Sequence, residues 1–473
     1  MKLQGDIGVK LRTDCKISVD GGKYRILSDR SIPSISIGPM IAMVLDILNS
    51  GYTINETIDI LAKLMKSERE IIEKKLEAII EITEPFIAMN NDFHLETNID
   101  IKKYLKDIGI EKDTLEIIRK PFPAYLVFNL TDKCERRCIY CYEEAISIPK
   151  GKKVNAEIDV NRFRVLLKEA VDNGCSKFEI GGGDPFCICN IAEYLKVAMK
   201  SDMDFTISTK SFLSKGMCHE IREIGLKEIQ ISMDSHIEEI ADMLMCSKNA
   251  YSEILETIKN LQDEKINIRL KMVVNKYNIE HIDKSIIFFG DKGIKDISFN
   301  LYGMSCGRHS KILYPTEKQI DIFESNILKL KNYINKSEMN LQYIPGMANE
   351  FYKRGNASLA YKTCMRGICA SCTYSMTIRP NGDVVYCSFL SKHPDFVIGN
   401  ILRESINSCW NSTKIKQLRN PERYRFKNTI CYDCDLFDIC KEKRCYLRSM
   451  VYKGTPYDID PWCKYGDSNF HDY

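Results

Sequence analysis

The 473-residue sequence predicts an α/β protein centred on a parallel sheet of six strand-helix units, open or curled into a partial (β/α)6 TIM barrel, with a small α+β domain before it and a cysteine-rich domain after it. Three observations carry that expectation. Apolar strand-like runs alternate with helical stretches from residue 124 to 310, short strand-like runs precede helices over residues 1–82, and ten of the 20 cysteines lie between Cys364 and Cys463. With 44% hydrophobic and 28% charged residues the chain can bury substantial cores, and its net charge of +3 shows no general polyanion-binding excess.

The first element, residues 1–82, opens with short runs at 7–11, 15–19 and 24–27, separated by Asp, Gly and Ser, the pattern of a strand meander with Asp20-Gly21-Gly22 as a hairpin turn. Helical spacing follows over Met40 to Leu48 and Glu56 to Lys66, the second with Thr53 or Asn55 as cap, and Ser67 with Glu70 predicts a capping box for a third helix running through Ile82. Residues 83–123 read as a linker ending at Pro121-Phe122-Pro123. The barrel, 124–310, shows six strands: Ala124 to Leu130, Lys177 to Ile180, Phe205 to Ser208, Glu228 to Met233, Arg269 to Val274 and Asp296 to Asn300. Helical segments such as 163–172, 191–199 and 251–263 separate them, which implies a parallel sheet, open or curled. Residues 311–363 read as a bridging helical region, and 364–473 as a cysteine-dense domain with few long periodic elements.

Cysteine richness means either a disulfide framework in a secreted chain or metal-thiolate sites in a reducing compartment. No basic region followed by an apolar core opens the sequence, and the longest apolar candidate, 35–48, is broken by Gly38, Pro39 and Asp46. These features predict a cytoplasmic protein with no membrane association. Only seven histidines accompany the cysteines, so thiolate-only ligation is favoured, as in iron-sulfur clusters or four-cysteine zinc.

Directly after the first barrel strand stand Cys134, Cys138 and Cys141, spaced CxxxCxxC on one loop. Three thiolates can hold three irons of a cubane and leave the fourth open to a chelating small molecule, whereas a structural zinc site needs a fourth ligand. Gly181-Gly182-Gly183-Asp184-Pro185 follows the second strand, Ser232-Met233-Asp234 ends the fourth, and Asn275 follows the fifth. This set resembles the radical S-adenosylmethionine (SAM) enzymes. The resemblance implies that Cys134, Cys138 and Cys141 hold a [4Fe-4S] cluster and that Gly181, Gly182, Gly183 and Asp184 bind the methionine amino group. It further implies that Ser232 and Asp234 form the S-x-D pattern near the ribose, with Asn275 on the same rim and the backbone of Tyr140 at the adenine. The Arg that often follows S-x-D by about ten residues is not apparent in Asp242-Met243-Leu244-Met245, which leaves the SAM carboxylate without an assigned partner.

The C-terminal cysteines resemble the SPASM extension of the same superfamily. Cys372, nine residues, Gly382, four residues and Cys387 match its opening, with 379–383 as a hairpin turn; Cys431-x2-Cys434-x5-Cys440, then Cys445 and Cys463, match its second half, although four residues rather than three separate Cys440 from Cys445. The resemblance implies two auxiliary [4Fe-4S] clusters, three clusters in all. One takes Cys387, Cys445 and two of Cys364, Cys369 and Cys372; the other takes Cys431, Cys434, Cys440 and Cys463. A pair of zinc knuckles would satisfy the same spacings. Cys187 and Cys189 alternate in direction along an extended chain, so packing explains them better than ligation.

Residues 1–82, three strands followed by three helices, resemble the winged-helix-like, PqqD-like peptide recognition domain fused to peptide-modifying radical SAM enzymes. Their twelve basic and twelve acidic side chains give no basic face for phosphates, so no nucleic-acid binding is expected. The resemblance implies a leader peptide added as a strand near Tyr24 to Leu27. It also implies a peptide maturase served by an external flavodoxin- or ferredoxin-type reductant. The preferred reaction is thioether formation between a cysteine sulfur and a carbon of a ribosomally made precursor. Carbon-carbon crosslinking, another peptide oxidation, formylglycine formation in a sulfatase and a non-enzymatic zinc-dependent regulator are the rivals. No general base is recognisable in the sequence.

Overall fold

The computed structural model describes residues 8–12, 15–20, 23–28, 35–65, 67–90, 104–105, 108, 119, 121–344, 371–390, 392–435, 437–441, 444–461 and 463. The chain divides into two units. The first comprises 1–121 with 361–373 and 435–444, the second 122–360 with 374–434 and 445–473.

In the first unit, β1 (Gly8–Leu11) pairs antiparallel with β5 (Ile87–Asn90). The meander is instead β2 (Cys15–Asp20), β3 (Lys23–Ser28) and β4 (Ile35–Ile37), in that order. Short β4 lacks the length to announce itself in sequence, and β5 falls in the expected linker. Three helices follow: α1 (Pro39–Asn49), α2 (Ile54–Met65) and α3 (Arg69–Thr83). Their apolar stripes, including Val44, Ile47, Ile58, Leu61 and Leu76, close a core that also takes in Tyr104, whose hydroxyl donates to Asp46 Oδ2 at 2.7 Å. Thr53 caps α2 in a reciprocal box: Thr53 N donates to Glu56 Oε2 at 2.9 Å and Glu56 N to Thr53 Oγ1 at 3.2 Å, whereas α3 has Glu68 rather than Ser67 as its N-cap and no side-chain cap bond.

The second unit is built on one ten-stranded sheet. Its first seven strands run in chain order: β6 (Tyr125–Thr131), β9 (Lys177–Gly182), β10 (Asp204–Thr209), β11 (Glu228–Ser232), β12 (Asn267–Val274), β13 (Asp296–Leu301) and β14 (Asn340–Ile344). All six pairings among them are parallel. Two-residue strands β7 (Lys133–Cys134) and β8 (Ile146–Ser147) form a separate ladder in the loop after β6. This is the expected partial TIM barrel, with one strand more than the six counted: β14 lies in the segment read as helical, where Glu317–Lys329 and Lys331–Lys336 are the α-helices and Lys311–Leu313 a 3-10 turn among the described residues. Five residues beside a helical stretch carry too little period-2 signal to be separated from it.

Alternation divides each strand. Leu126, Phe128, Leu130, Phe178, Ile180, Leu270 and Met272 are buried, and Phe128 packs edge-on to Phe163 of helix Val160–Asp172 at 5.1 Å. The alternate positions, Tyr125, Asn129, Glu179, Gln230 and Lys271, give the other face of the sheet a polar lining. The sheet does not stop at the barrel. β15 (Ser375–Ile378) pairs in parallel with β6, and β16 (Asp383–Val385) and β17 (Val397–Asn400) extend it antiparallel. The turn predicted at 379–383 joins β15 to β16, with Gly382 at φ +80° and its N–H donating to Arg379 O at 2.9 Å.

Candidate active site

The loop after β6 carries Cys134, Cys138 and Cys141, and its backbone is held from several sides. Ile146 N donates to Asp132 O at 2.7 Å and Ile148 N to Cys134 O at 3.0 Å, while Arg137 N and Ile139 N reach the carbonyls of Met245 and Leu244. Two arginines that sequence reasoning missed complete the clamp. Arg136, 3% exposed, donates to Lys210 O, Ser247 Oγ and Glu253 Oε2 at 3.2, 2.8 and 2.6 Å. Arg308, from the loop after β13, donates to Cys138 O at 3.2 Å and Ala145 O at 2.5 Å, and its N–H to Cys141 O at 3.0 Å.

Cys134 and Cys138 are each 8% exposed and Cys141 is half-buried. Arg136 N donates to Cys134 Sγ at 3.3 Å and Ala145 N to Cys141 Sγ at 3.5 Å. Burial pushes the thiols of Cys134 and Cys138 up, assisted at Cys134 by the Asp184 carboxylate and opposed at Cys138 by Lys210. Bare thiolates are therefore unfavourable here, and coordinated iron would supply the compensating charge. Among the described residues no three His, Cys, Asp or Glu side chains close around a single ion. That is compatible with a cubane, whose own sulfides spread the ligating thiolates apart. Three thiols on one loop, with N–H groups aimed at two of the sulfurs, fit such a cluster.

The glycine motif closes against this loop. Gly183 N donates to Thr131 O at 2.6 Å and Asp184 N to Lys133 O at 2.8 Å, and a Cβ on Gly183 would overlap the backbone of Lys133. The buried carboxylate of Asp184 accepts from Phe186 N at 3.0 Å, Thr209 Oγ1 at 2.8 Å and Lys210 N at 2.8 Å, so it fastens β9 to β10. Asn275 is used in the same way: Tyr277 N donates to its Oδ1 at 3.0 Å, and its amide donates to Val273 O at 3.2 Å.

Asp234 and Tyr140 do meet. The Tyr140 hydroxyl donates to Asp234 Oδ2, to which Lys210 Nζ donates at 3.1 Å, and Val273 N reaches Asp234 Oδ1 at 2.8 Å. Lys210 Nζ also lies 5.0 Å from the centroid of the Tyr140 ring. Burial acts to lower the Lys210 pKa, but Asp234 and the thiols of Cys138 and Cys134 raise it above its ordinary value, so the ammonium stays charged. Ser232 is half-buried at the end of β11. Lys210 follows the third strand as Gly183 and Asn275 follow theirs, so position after a strand end was the signal that could have found it.

In the C-terminal segment Cys372 is buried at φ +55°, while Cys387, Cys431, Cys434, Cys440, Cys445 and Cys463 are half-buried. Cys364 and Cys369 lie outside the described residues. Arg423 holds the carbonyls of Tyr432 and Cys434 at 2.9 and 3.0 Å. Cys187 is buried and Cys189 exposed, with Cys187 ending a single 3-10 turn. In the first unit, β3 has β2 on one side and β4 on the other, so Tyr24 to Leu27 offers no free edge; the edges of that sheet are β2 and β4. No helix among the described residues is long and apolar enough to cross a membrane.

Residues 128–289 match the model of the radical SAM superfamily, and residues 369–435 match that of SPASM, an iron-sulfur cluster-binding domain. Over 333 residues, 70% of this chain and 68% of the relative, the sequence is 26% identical to the antilisterial bacteriocin subtilosin biosynthesis protein AlbA of Bacillus subtilis. It is 29% identical over 161 residues to GTP 3',8-cyclase of Campylobacter jejuni, a match spanning 34% of this chain and about half, 48%, of the cyclase. The fold is shared with SuiB of Streptococcus suis bound to SAM, at a TM-score of 0.56 and 18% identity over 96% of this chain and 99% of that one; SuiB is also known bound to precursor peptide SuiA.

Proposed function

We propose that this chain, an enzyme with a radical SAM core and a SPASM iron-sulfur segment, matures a ribosomally made precursor peptide by joining a cysteine sulfur of the peptide to one of its carbons. The observation that carries the reading is the extent of the similarity. It runs beyond the barrel to 70% of the chain in a bacteriocin biosynthesis protein, and in fold to 96% of the chain in a protein known with its precursor peptide bound. A barrel shared with a nucleotide cyclase covers only 34% of this chain, so the parts outside the barrel are what favour a peptide.

The cluster proposed on Cys134, Cys138 and Cys141 supplies one-electron cleavage of SAM to a 5'-deoxyadenosyl radical when it is bound and reduced. The chain's own contribution is positioning. Arg136 and Arg308 fix the cysteine loop through buried hydrogen bonds, and Gly183 lets β9 approach it closely. Lys210 gives the site a charged ammonium beside Tyr140 and Asp234, and is the candidate for the SAM carboxylate partner that the sequence lacked. Ser232 and the backbone of Tyr140 remain the proposed ribose and adenine contacts. Asp234 and Asn275 act by holding Lys210, Tyr140 and the strand ends in place. The two auxiliary clusters, with the ligand sets given above, would accept the second electron that a dehydrogenative crosslink releases. The first unit is proposed to bind the leader peptide by strand addition at β2 or β4.

Intact-mass measurement of the precursor after anaerobic reaction with SAM and a one-electron reductant is the test. Thioether formation predicts loss of two hydrogens for each bridge and fragmentation that places a cysteine sulfur in it. An unchanged mass overturns the reading, and a sulfur-free bridge replaces it with carbon-carbon crosslinking.

A further inference from the structure

Of the 20 cysteines, twelve stand above as ligands or as contenders for a ligand place, which leaves eight. Three of these have ordinary partners: the sulfurs of Cys175, Cys218 and Cys246 lie 3.5, 3.9 and 3.7 Å from the carbonyls of Lys177, Leu213 and Met243. Cys306 differs. It is exposed in the loop after β13, and its backbone is held on both sides by segments that carry proposed cluster ligands. Its N–H donates to Phe389 O at 3.0 Å, and Phe389 belongs to the single turn Ser388–Leu390, in which Leu390 N reaches back to Cys387 O at 3.0 Å. On the other side Arg308 N donates to Cys141 O, and a Cβ on Gly307 would lie 2.2 Å from Tyr142 O, so the glycine lets this loop press on the first cysteine loop. The rings of Tyr142 and Phe389 meet at 5.2 Å, and Lys392 Nζ donates to Glu144 Oε2 at 2.7 Å, which ties the two flanking segments to each other. The position of Cys306 is therefore set through backbone, and among the described residues its sulfur makes no hydrogen bond. Cys445 is the remaining neighbour. Partial burial pushes the Cys306 thiol up to about 11, and negative charge on Cys445 acts in the same direction. Two thiolates this close repel unless a cation lies between them, the condition that cluster iron meets.

We propose that Cys306 is a ligand of the auxiliary cluster that takes Cys387 and Cys445, filling one of the two places for which Cys364, Cys369 and Cys372 compete. The proposal rests on the reading of the C-terminal cysteines as cluster ligands. Ligation sends the thiol proton to water while the sulfur gives an electron pair to iron, and no oxidant or reductant is consumed. One loop then serves both metal regions: Cys306 binds the auxiliary iron, and Arg308, two residues on, holds the carbonyls of Cys138 and Cys141. The auxiliary cluster is in that way fixed to a barrel loop as well as to the cysteine-rich segment.

The test alkylates the full chain with iodoacetamide under anaerobic conditions, before and after iron-sulfur reconstitution, and maps the labelled cysteines by mass. Cys306 is expected to react in the iron-free chain and about tenfold or more slowly once iron is bound, because a coordinated thiolate is no longer a free nucleophile. Exposed Cys189 is expected to react alike in both. In parallel, reconstituted Cys306→Ala is expected to lose about one to four iron, up to the content of one cubane, and Cys306→Ser, which keeps an oxygen ligand, to lose less. The change that SAM makes in the EPR spectrum of the first cluster should persist in both variants, which separates a lost ligand from a misfolded chain. Equal labelling of Cys306 in the iron-free and loaded chains overturns the proposal. Protection of Cys306 in the wild type together with undiminished iron in Cys306→Ala also overturns it, because the thiol would then be covered rather than coordinated. A chain that keeps no iron once Cys134, Cys138 and Cys141 are all replaced by alanine overturns instead the reading of the auxiliary clusters on which the proposal rests.

Discussion

The two cysteine-bearing regions are built in opposite ways. The loop of Cys134, Cys138 and Cys141 is short, follows a buried strand, and has its carbonyls and amides tied by Arg136, Arg308, Gly183 and the helix ending at Met245. Cys387, Cys431, Cys434, Cys440, Cys445 and Cys463 are half-buried, and between β17 and Cys463 the longest helix among the described residues is the eight-residue Tyr446–Lys453. The first site is held by a fold that exists for other reasons. The second has spacing but little regular structure of its own, the condition in which metal binding and folding become one process.

The largest expected effect follows from that contrast. Stripping iron with a chelator under anaerobic conditions should expose residues 400–463 to protease while β6 to β13 stay protected, as limited proteolysis with mass mapping would show. Equal digestion of both regions would break the comparison. A smaller effect, confined to the loop's supports, comes from Arg136→Ala. Removing the guanidinium leaves the 13%-exposed Glu253 with Lys150 as its charged partner among the described residues and should cost about 1.5–3 kcal/mol, the range for lost hydrogen bonds to a charged group. Denaturant unfolding of the iron-loaded chain measures it, and a loss under about 1 kcal/mol would mean that the loop does not depend on this clamp.

The smallest effect concerns the loop that brings Arg308 to the site. His309 stacks on Tyr302 and its Nδ1 lies 2.8 Å from that hydroxyl; burial, then Lys311, holds its pKa below the ordinary value. The unfolded chain therefore takes up this proton first, so the contribution to stability is present above about pH 6.5 and is lost as the pH falls below it. His309→Phe keeps a ring and removes the titration, so its melting temperature should fall less than that of wild type between pH 7.5 and about 5.5. Parallel profiles would show that His309 is not the responsible group.

The legible parts of the molecule were those with a long period or a motif: six of the seven in-order barrel strands, the three N-terminal helices, the cysteine loop and the glycine turn. β14 and β4 were not legible because five and three residues give too little alternation. The pairing of β15 with β6 was hidden for a different reason, since register between strands separated by more than 240 residues has no local signal. The partners of Asp184 and Asn275 had no local signal either: their side chains are held by neighbouring groups, which depends on Thr209, Lys210 and Tyr277 being within reach. Lys210 had its place after a strand end as a signal, whereas the partners of Arg308, Cys138 and Ala145, are more than 160 residues away and come within reach only in the folded chain.

The central claim is that Cys134, Cys138 and Cys141 hold one iron-sulfur cluster of their own, independent of the C-terminal ones. Iron and sulfide analysis of the anaerobically reconstituted chain beside its Cys134→Ala/Cys138→Ala/Cys141→Ala variant tests it most directly. Three cubanes predict about 12 iron and 12 sulfide in the wild type and about eight of each in the variant. Equal iron in the two proteins, or zinc in place of iron, would contradict it.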